Sequence, residues 1–183
     1  MNAFVDIKII ENPEIPSAVV MNSVFEEFHR RLVQFGEGSI AVSFPEYAAT
    51  MGTVLRIHGP HDQLKNFMAQ DWLKAYQDYV SIRAIGAIPQ DCVYRSFYRV
   101  QKKSPANMRK RAVRRGRMTE QEAMERIPDG IQQYLRLPYL QLHSSSTNQT
   151  MRLYIRMSEE KPQSLNTKFS AYGLSRDCVV PWF

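Results

Sequence analysis

The amino-acid sequence predicts an α+β protein in two unlike halves. Three observations lead there. Apolar residues switch between a period of two and a period of 3.6 in the order β-α-β-β-α-β over residues 1–91. The pattern loses that regularity after Pro89. The net charge of +6 then proves to be local: residues 95–117 hold ten Lys or Arg and no Asp or Glu, residues 1–94 hold 7 basic and 11 acidic, and residues 118–183 hold 7 of each.

Taken in order, Ala3 to Ile10 is rich in β-branched residues and predicts a strand. Pro13 and Pro16 mark a turn, and Ser17 is the expected N-cap of a helix to about Gln34. Val20, Val24, Phe28 and Leu32 supply its apolar stripe, and Gly36 and Gly38 end it. Ile40 to Phe44 and Thr53 to His58 predict a strand pair. His61 to Tyr79 carries Leu64, Phe67, Met68, Trp72 and Leu73, a helical pattern with one break, and Val80 to Ile88 predicts a strand. This succession is the ferredoxin-like βαββαβ arrangement, with residues 1–91 as one domain. It supports many RNA-binding sheets but also unrelated functions.

Residues 92–183 form a divergent α/β half carrying the arginine-rich helix. Cys92 to Gln101 predicts a strand, and Pro105 to about Gly116 the helix. Thr119 with Glu122 three residues on predicts a capping box that opens a further helix, and Pro128-Asp129-Gly130 closes it. Tyr139 to Leu142 and Met151 to Met157 predict paired strands about the polar run Ser144-Ser145-Ser146-Thr147-Asn148. The apolar end Val180-Pro181-Trp182-Phe183 is expected to tuck into the fold.

Composition excludes several classes. No apolar run approaches the roughly 18 residues of a membrane span, and Met1 to Ile10 lacks the basic-then-apolar order of a signal peptide. Two cysteines, Cys92 and Cys178, make neither a disulfide scaffold nor a four-ligand zinc site, so a cytoplasmic location with reduced thiols is expected. The four histidines, His29, His58, His61 and His143, show no metal-binding spacing. Clustered carboxylates of a two-metal nuclease are absent as well, Glu26 and Glu27 being adjacent and so pointing apart on a helix. No metal and no cofactor is expected.

What remains is an anion-binding pattern. On a single strand over 92–101, Arg95, Phe97, Arg99 and Gln101 would share a face. Arg99 and Gln101 are the residue types that read guanine and adenine edges, although a solvated polar face explains the same spacing. In the helix, Arg111, Arg114 and Arg115 lie at i, i+3 and i+4, and Arg109, Lys110 and Arg117 widen the stripe. Guanidinium groups bind phosphate bidentately, and a bound polyanion relieves the repulsion between them.

These residues, in their shared order and spacing, resemble the CRISPR-associated repeat-processing endoribonucleases of subtype I-F, the Csy-type branch of the Cas-six superfamily. The likeness runs through His29 after Val24-Phe25, Val42-Ser43-Phe44-Pro45, Leu55-Arg56-Ile57-His58 and Arg99-Val100-Gln101 with Lys103-Ser104. It continues through Arg111 with Arg114-Arg115, Ile127-Pro128-Asp129, Ser144-x-Ser146-Thr147-x-Gln149, Arg152-Leu153-x-Ile155-Arg156, Tyr172-Gly173-Leu174-Ser175 and the terminal Val180-Pro181-Trp182-Phe183. The resemblance implies cutting of a precursor CRISPR transcript at the base of each repeat hairpin, without metal, and retention of the product. It implies catalytic roles for His29 and Ser144 and supporting roles for Ser146 and Tyr172. It implies base reading by Arg99 and Gln101 and phosphate binding by Arg111, Arg114 and Arg115. Two positions differ: Gly116 stands where relatives carry His, which shifts a contact to Arg117, and Met151 stands where relatives can place an aromatic ring against the terminal base pair. The implied partners are the hairpin RNA and other subunits of a type I-F surveillance complex. A non-catalytic hairpin-binding subunit is the alternative, and an assembly protein whose basic helix meets an acidic partner is a third.

The chemistry follows from the side chains. RNA carries its own nucleophile, the 2′-hydroxyl beside the scissile phosphate. Histidine as a residue type titrates near neutrality and suits removal of its proton. A serine hydroxyl suits holding the ribose in line for attack. The expected products are a 2′,3′-cyclic phosphate and a 5′-hydroxyl.

Overall fold

A computed structural model of the chain describes residues 1–35, 38–131, 134–144, 149–164 and 168–183. It divides into two compact units, Met1–Val100 with Leu137–Phe183, and Gln101–Arg136.

The first unit begins with β1 (Ala3–Ile9), followed by helix α1 (Ser17–Phe35), β2 (Ala41–Ser43), β3 (Val54–Gly59), helix α2 (His61–Met68) and β4 (Val80–Ile82). The strands form an antiparallel sheet in the order β2-β3-β1-β4, and β5 (Gly86–Ala87) also pairs with β1. That order and alternation make the ferredoxin-like fold. Ile7 and Ile9 of β1, Val24, Phe25 and Phe28 of α1 and Leu55 and Ile57 of β3 are wholly buried and join one core. α1 therefore owes its place to the apolar stripe that its sequence displays.

Two boundaries differ from the sequence reading. Pro16, not Ser17, ends the approach to α1, because its carbonyl accepts from the Val20 N–H (3.4 Å). The second helical segment stops at Met68, and only a short 3-10 turn, Lys74–Tyr76, follows. The predicted Val80–Ile88 strand is likewise two short strands, β4 and β5.

One buried ion pair crosses the sheet. Asp6 of β1 lies opposite Arg56 of β3 in the register, and two bonds join them, at 2.7 and 2.9 Å. The Arg56 guanidinium also donates to the Phe183 carbonyl (2.9 Å) and lies over the rings of Phe4 and Phe183. Arg56 so ties the apolar C-terminal segment to the sheet, where β10 (Val180–Trp182) pairs with β6 (Val93–Arg95). Neighbouring His58 is fully buried with Nε2 against the Ser43 hydroxyl (2.8 Å); burial, then the Arg56 charge, lowers its pKa to about 3.

The predicted Cys92–Gln101 strand is broken at Ser96. β6 pairs with β10, whereas β7 (Phe97–Val100) pairs with β9 (Gln149–Met157), which in turn pairs with β8 (Tyr139–Ser144). At the break, the Ser96 N–H goes to the Ser158 hydroxyl (2.9 Å) and the buried Ser96 hydroxyl donates to the Cys178 carbonyl (2.8 Å). Side chains thus take over where the ladder stops.

The second unit holds α3 (Pro105–Arg114) and α4 (Glu120–Arg126), followed by a 3-10 turn at Asp129–Ile131. Ser104 caps α3 by accepting from the Asn107 N–H (3.2 Å), with Pro105 in the first turn. The expected Thr119–Glu122 capping box is formed at α4. Among the described residues, no helix is long and apolar enough to cross a membrane.

Candidate functional site

His29 lies at the edge of the buried stripe of α1, half-buried. Its Nδ1 is 2.6 Å from the Ala171 carbonyl. A carbonyl only accepts, so Nδ1 must carry the proton. In the neutral ring, Nε2 then holds the lone pair, and this residue becomes a proton acceptor with a defined atom.

The other constraint on the ring is Tyr172. It stacks on the imidazole with centroids 4.0 Å apart and planes 11° from parallel, and its ring is also parallel to Phe25 of α1 at 6.5 Å. The loop that delivers Ala171 and Tyr172 is held from both ends. Ser170 accepts the Gly173 N–H on its carbonyl (2.8 Å), and the Gly173 carbonyl accepts from Val42 of β2 (3.0 Å). Gly173 adopts φ +68°, and a Cβ there would stand 3.0 Å from Phe28 and 3.2 Å from Val42. Only glycine combines that backbone with so close an approach.

Arg99 of β7 reaches the same cluster. Its guanidinium lies 5.8 Å from the centre of the Tyr172 ring and 4.0 Å from the Met151 sulfur. The structure therefore brings together four residues singled out in the sequence, His29, Tyr172, Arg99 and Met151. Ser144 is the last residue of β8, paired in register with Gln149. Ser146 lies outside the described residues.

The shared strand face over 95–101 is not what forms. Phe97 is buried among Phe44, Tyr47 and Trp182, and Arg95 is tied to the Ser158 carbonyl and the Glu160 carboxylate, both at 3.1 Å. Gln101 follows the end of β7, is exposed and opens the second unit. The break at Ser96 sends Arg95 to a different sheet from Arg99, so the two are not neighbours on a single face.

Within the second unit, the basic residues of α3 divide by role. Arg109 donates to the Ile127 carbonyl (2.6 Å) and to the Asp129 carboxylate (2.7 Å). It fastens α3 to the end of α4 and so does not widen the phosphate-binding stripe. Arg114, Arg115 and Arg117 are exposed and Arg111 is half-buried. Among the described residues, none of Lys110, Arg111, Arg114, Arg115 and Arg117 has an acidic partner. Gly116 has its own explanation. It sits at φ +63°, with its N–H on the Val113 carbonyl (2.9 Å) and the Arg117 N–H on the Ala112 carbonyl (3.0 Å). These are the two bonds of a glycine helix stop, which turns the chain after Arg115 and leaves Arg117 exposed.

Sequence reasoning missed Asn22, Glu26, the Ala171 carbonyl and Gly173. Asn22 Oδ1 accepts the Gln141 N–H (3.0 Å), and Glu26 accepts the His143 N–H. A polar pair at i and i+4 looks solvated in sequence, and a backbone carbonyl carries no residue signature. Only Gly173 after the aromatic Tyr172 was a visible hint. Among the described residues, no three His, Cys, Asp or Glu side chains form a cluster that could hold a metal ion.

With this geometry in place, comparison with known proteins is informative. The family described as "CRISPR-associated protein (Cas_Csy4)" matches residues 4–183. The chain is 38% identical over 187 residues to the "CRISPR-associated endonuclease Cas6/Csy4" of Pseudomonas aeruginosa (strain UCBPP-PA14), covering 100% of both chains. It is 34% identical over 184 residues to the protein of the same name from Escherichia coli (strain UTI89 / UPEC), again covering 100% of both. A match of that extent, on a ferredoxin-like sheet bearing His29 and Tyr172 in contact, shows that the chain belongs to the Cas_Csy4 family of CRISPR-associated proteins.

Proposed function

We propose that the chain is a metal-independent CRISPR RNA endoribonuclease that cleaves precursor CRISPR RNA at the base of the repeat hairpin and retains the product. The observation that carries this reading is the His29 imidazole, held by Ala171 at Nδ1 and by Tyr172 across one face, with Nε2 as its basic atom.

In the proposed reaction the 2′-oxygen attacks the adjacent phosphorus while its proton passes to His29 Nε2. The bond from phosphorus to the 5′-oxygen breaks, and that oxygen takes a proton from solvent to become a 5′-hydroxyl. A 2′,3′-cyclic phosphate remains on the other fragment. General-base assistance of this kind contributes about 10²–10⁴-fold. Ser144 orients the ribose and 2′-hydroxyl, and Ser146 and Tyr172 support the site. The stack fixes the imidazole before substrate arrives, so that orientation need not be gained in the transition state.

Recognition is assigned to other residues. Arg99 and Gln101 read bases low in the stem, where the open end of a short helix exposes a major groove that is otherwise too deep and narrow to read. Arg111, Arg114, Arg115 and Arg117 bind stem phosphates, supported by their lack of acidic partners among the described residues. Met151 gives the terminal base pair apolar contact in place of ring stacking. The division of labour follows the chain: residues 1–91 carry the base, and residues 92–183 the RNA-binding elements and the serine segment. The expected partners are precursor and mature CRISPR RNA and further subunits of a type I-F surveillance complex, in the cytoplasm.

The test is incubation of the cognate repeat hairpin with the protein in EDTA, followed by analysis of the new ends. Cleavage leaving a cyclic phosphate and a 5′-hydroxyl is expected. Binding without cleavage would make the chain a non-catalytic hairpin-binding subunit. Cleavage only on adding a divalent metal would overturn the mechanism.

A further inference from the structure

β8 is the edge strand of the sheet β7-β9-β8, so alternate N–H groups along it face away from β9. Two of them, at Gln141 and His143, are met by side chains of α1: Asn22 takes the first and Glu26 the second. The spacing is a matter of pitch. Four residues of helix rise about 6 Å, and two residues of strand rise about 6.6 Å. A pair at i and i+4 on α1 therefore keeps step with a pair at i and i+2 on β8, and the two elements run in the same direction.

From this clamp we infer that Glu26, aided by Asn22, is a positioning residue: it holds the end of β8 in register with α1 and so sets the distance between Ser144 and His29. The inference rests on the catalytic pairing proposed above. Its basis is proximity along both chains. Ser144 follows His143 directly, about 3.8 Å away between Cα atoms. His29 follows Glu26 by three residues, about one helical turn. Glu26 is thus the described link between the element that carries the base and the element that carries the serine. Glu27, its neighbour, points elsewhere and pairs with Arg30 (3.0 Å).

The role asks for an acceptor oxygen at a set reach, not for a charge. Glu26→Gln keeps the oxygen and the reach, Glu26→Ala removes both, and Asn22→Ala removes the acceptor one strand step farther from Ser144. The measurements are the single-turnover rate on cognate hairpin RNA at saturating protein, the Kd for the same RNA, and hydrogen exchange at the His143 amide. Glu26→Ala should lose about 10²-fold in rate, the usual scale for a misplacement near 1 Å, with Kd unchanged within about twofold and faster exchange at His143. Asn22→Ala should lose less, and Glu26→Gln should stay within about threefold of wild type with His143 protected.

A wild-type rate and wild-type exchange in Glu26→Ala would overturn the inference. Equal rate losses in Glu26→Gln and Glu26→Ala would also overturn it, because charge would then be the requirement. If Glu26→Ala does not fold, Asn22→Ala and Glu26→Gln carry the same test. A wild-type protein that binds the hairpin but never cuts it defeats the catalytic reading instead. In that case the exchange measurement still decides whether Glu26 holds the strand.

Discussion

The His29 cluster and the α3 helix solve opposite problems. Around His29 nearly every contact is made within the protein: Nδ1 to a carbonyl, an imidazole on a phenol ring, a glycine turn pinned to β2, an edge strand clamped by Asn22 and Glu26. On α3 the contrary holds. Lys110, Arg111, Arg114, Arg115 and Arg117 have no acidic partner among the described residues, and Arg109 alone of the helix's basic residues is spent on internal bonds. A site that must place one proton within tenths of an ångström needs fixed geometry. A surface that must hold a polyanion needs unneutralised charge, and its affinity comes with a dependence on salt.

That contrast can be broken in three places. The largest effect is expected at His29. Replacement by Ala should lower the single-turnover cleavage rate by about 10³-fold or more while leaving hairpin affinity within a few-fold, measured by rate and filter binding on the same RNA. Cleavage at the wild-type rate would remove His29 from the chemistry.

Second comes the stripe. Arg111, Arg114 and Arg115 replaced together by Ala should weaken hairpin binding by about 10²-fold near 0.1 M salt, and should lower the slope of log K against log salt by roughly two to three. The rate at saturating protein should change little. An unchanged salt slope would mean that these arginines do not meet phosphates.

The smallest effect is expected at Arg109. Its replacement by Ala removes a donor to a carbonyl and to a carboxylate, worth about 1–3 kcal/mol of local stability. It should show as faster hydrogen exchange in α4, with a smaller loss of RNA affinity than the triple variant. A loss as large as the triple variant's, with α4 exchange unaltered, would return Arg109 to the RNA-binding stripe.

Much of this was visible in the sequence, and what was not has physical reasons. β1, α1, β3 and the α4 capping box declare themselves because their determinants are local: a period in the apolar residues, or a Thr and Glu three apart. The strand break at Ser96 is hidden because its partners, Ser158 and Cys178, are 62 and 82 residues away. The role of Arg109 is hidden for a different reason. It stands among residues of its own kind, and only the position of Ile127 and Asp129 sets it apart. His29 and Tyr172 were legible as individual residues through the family resemblance, but their stacking, and the Ala171 carbonyl that gives His29 a single basic nitrogen, come from chain segments 142 residues apart. Gly116 looked like a lost contact in the sequence. In the structure it is the residue that ends α3.

The central claim is that the RNA supplies the nucleophile and His29 only takes its proton. It is tested most directly by one atom of the substrate. A repeat hairpin with a single 2′-deoxy nucleotide on the 5′ side of the scissile phosphate, assayed in EDTA beside the all-ribose hairpin, should bind with the same affinity and remain uncut while the all-ribose RNA is cleaved. Cleavage of the deoxy substrate at that phosphate would mean that water or a protein side chain attacks, and would contradict the account.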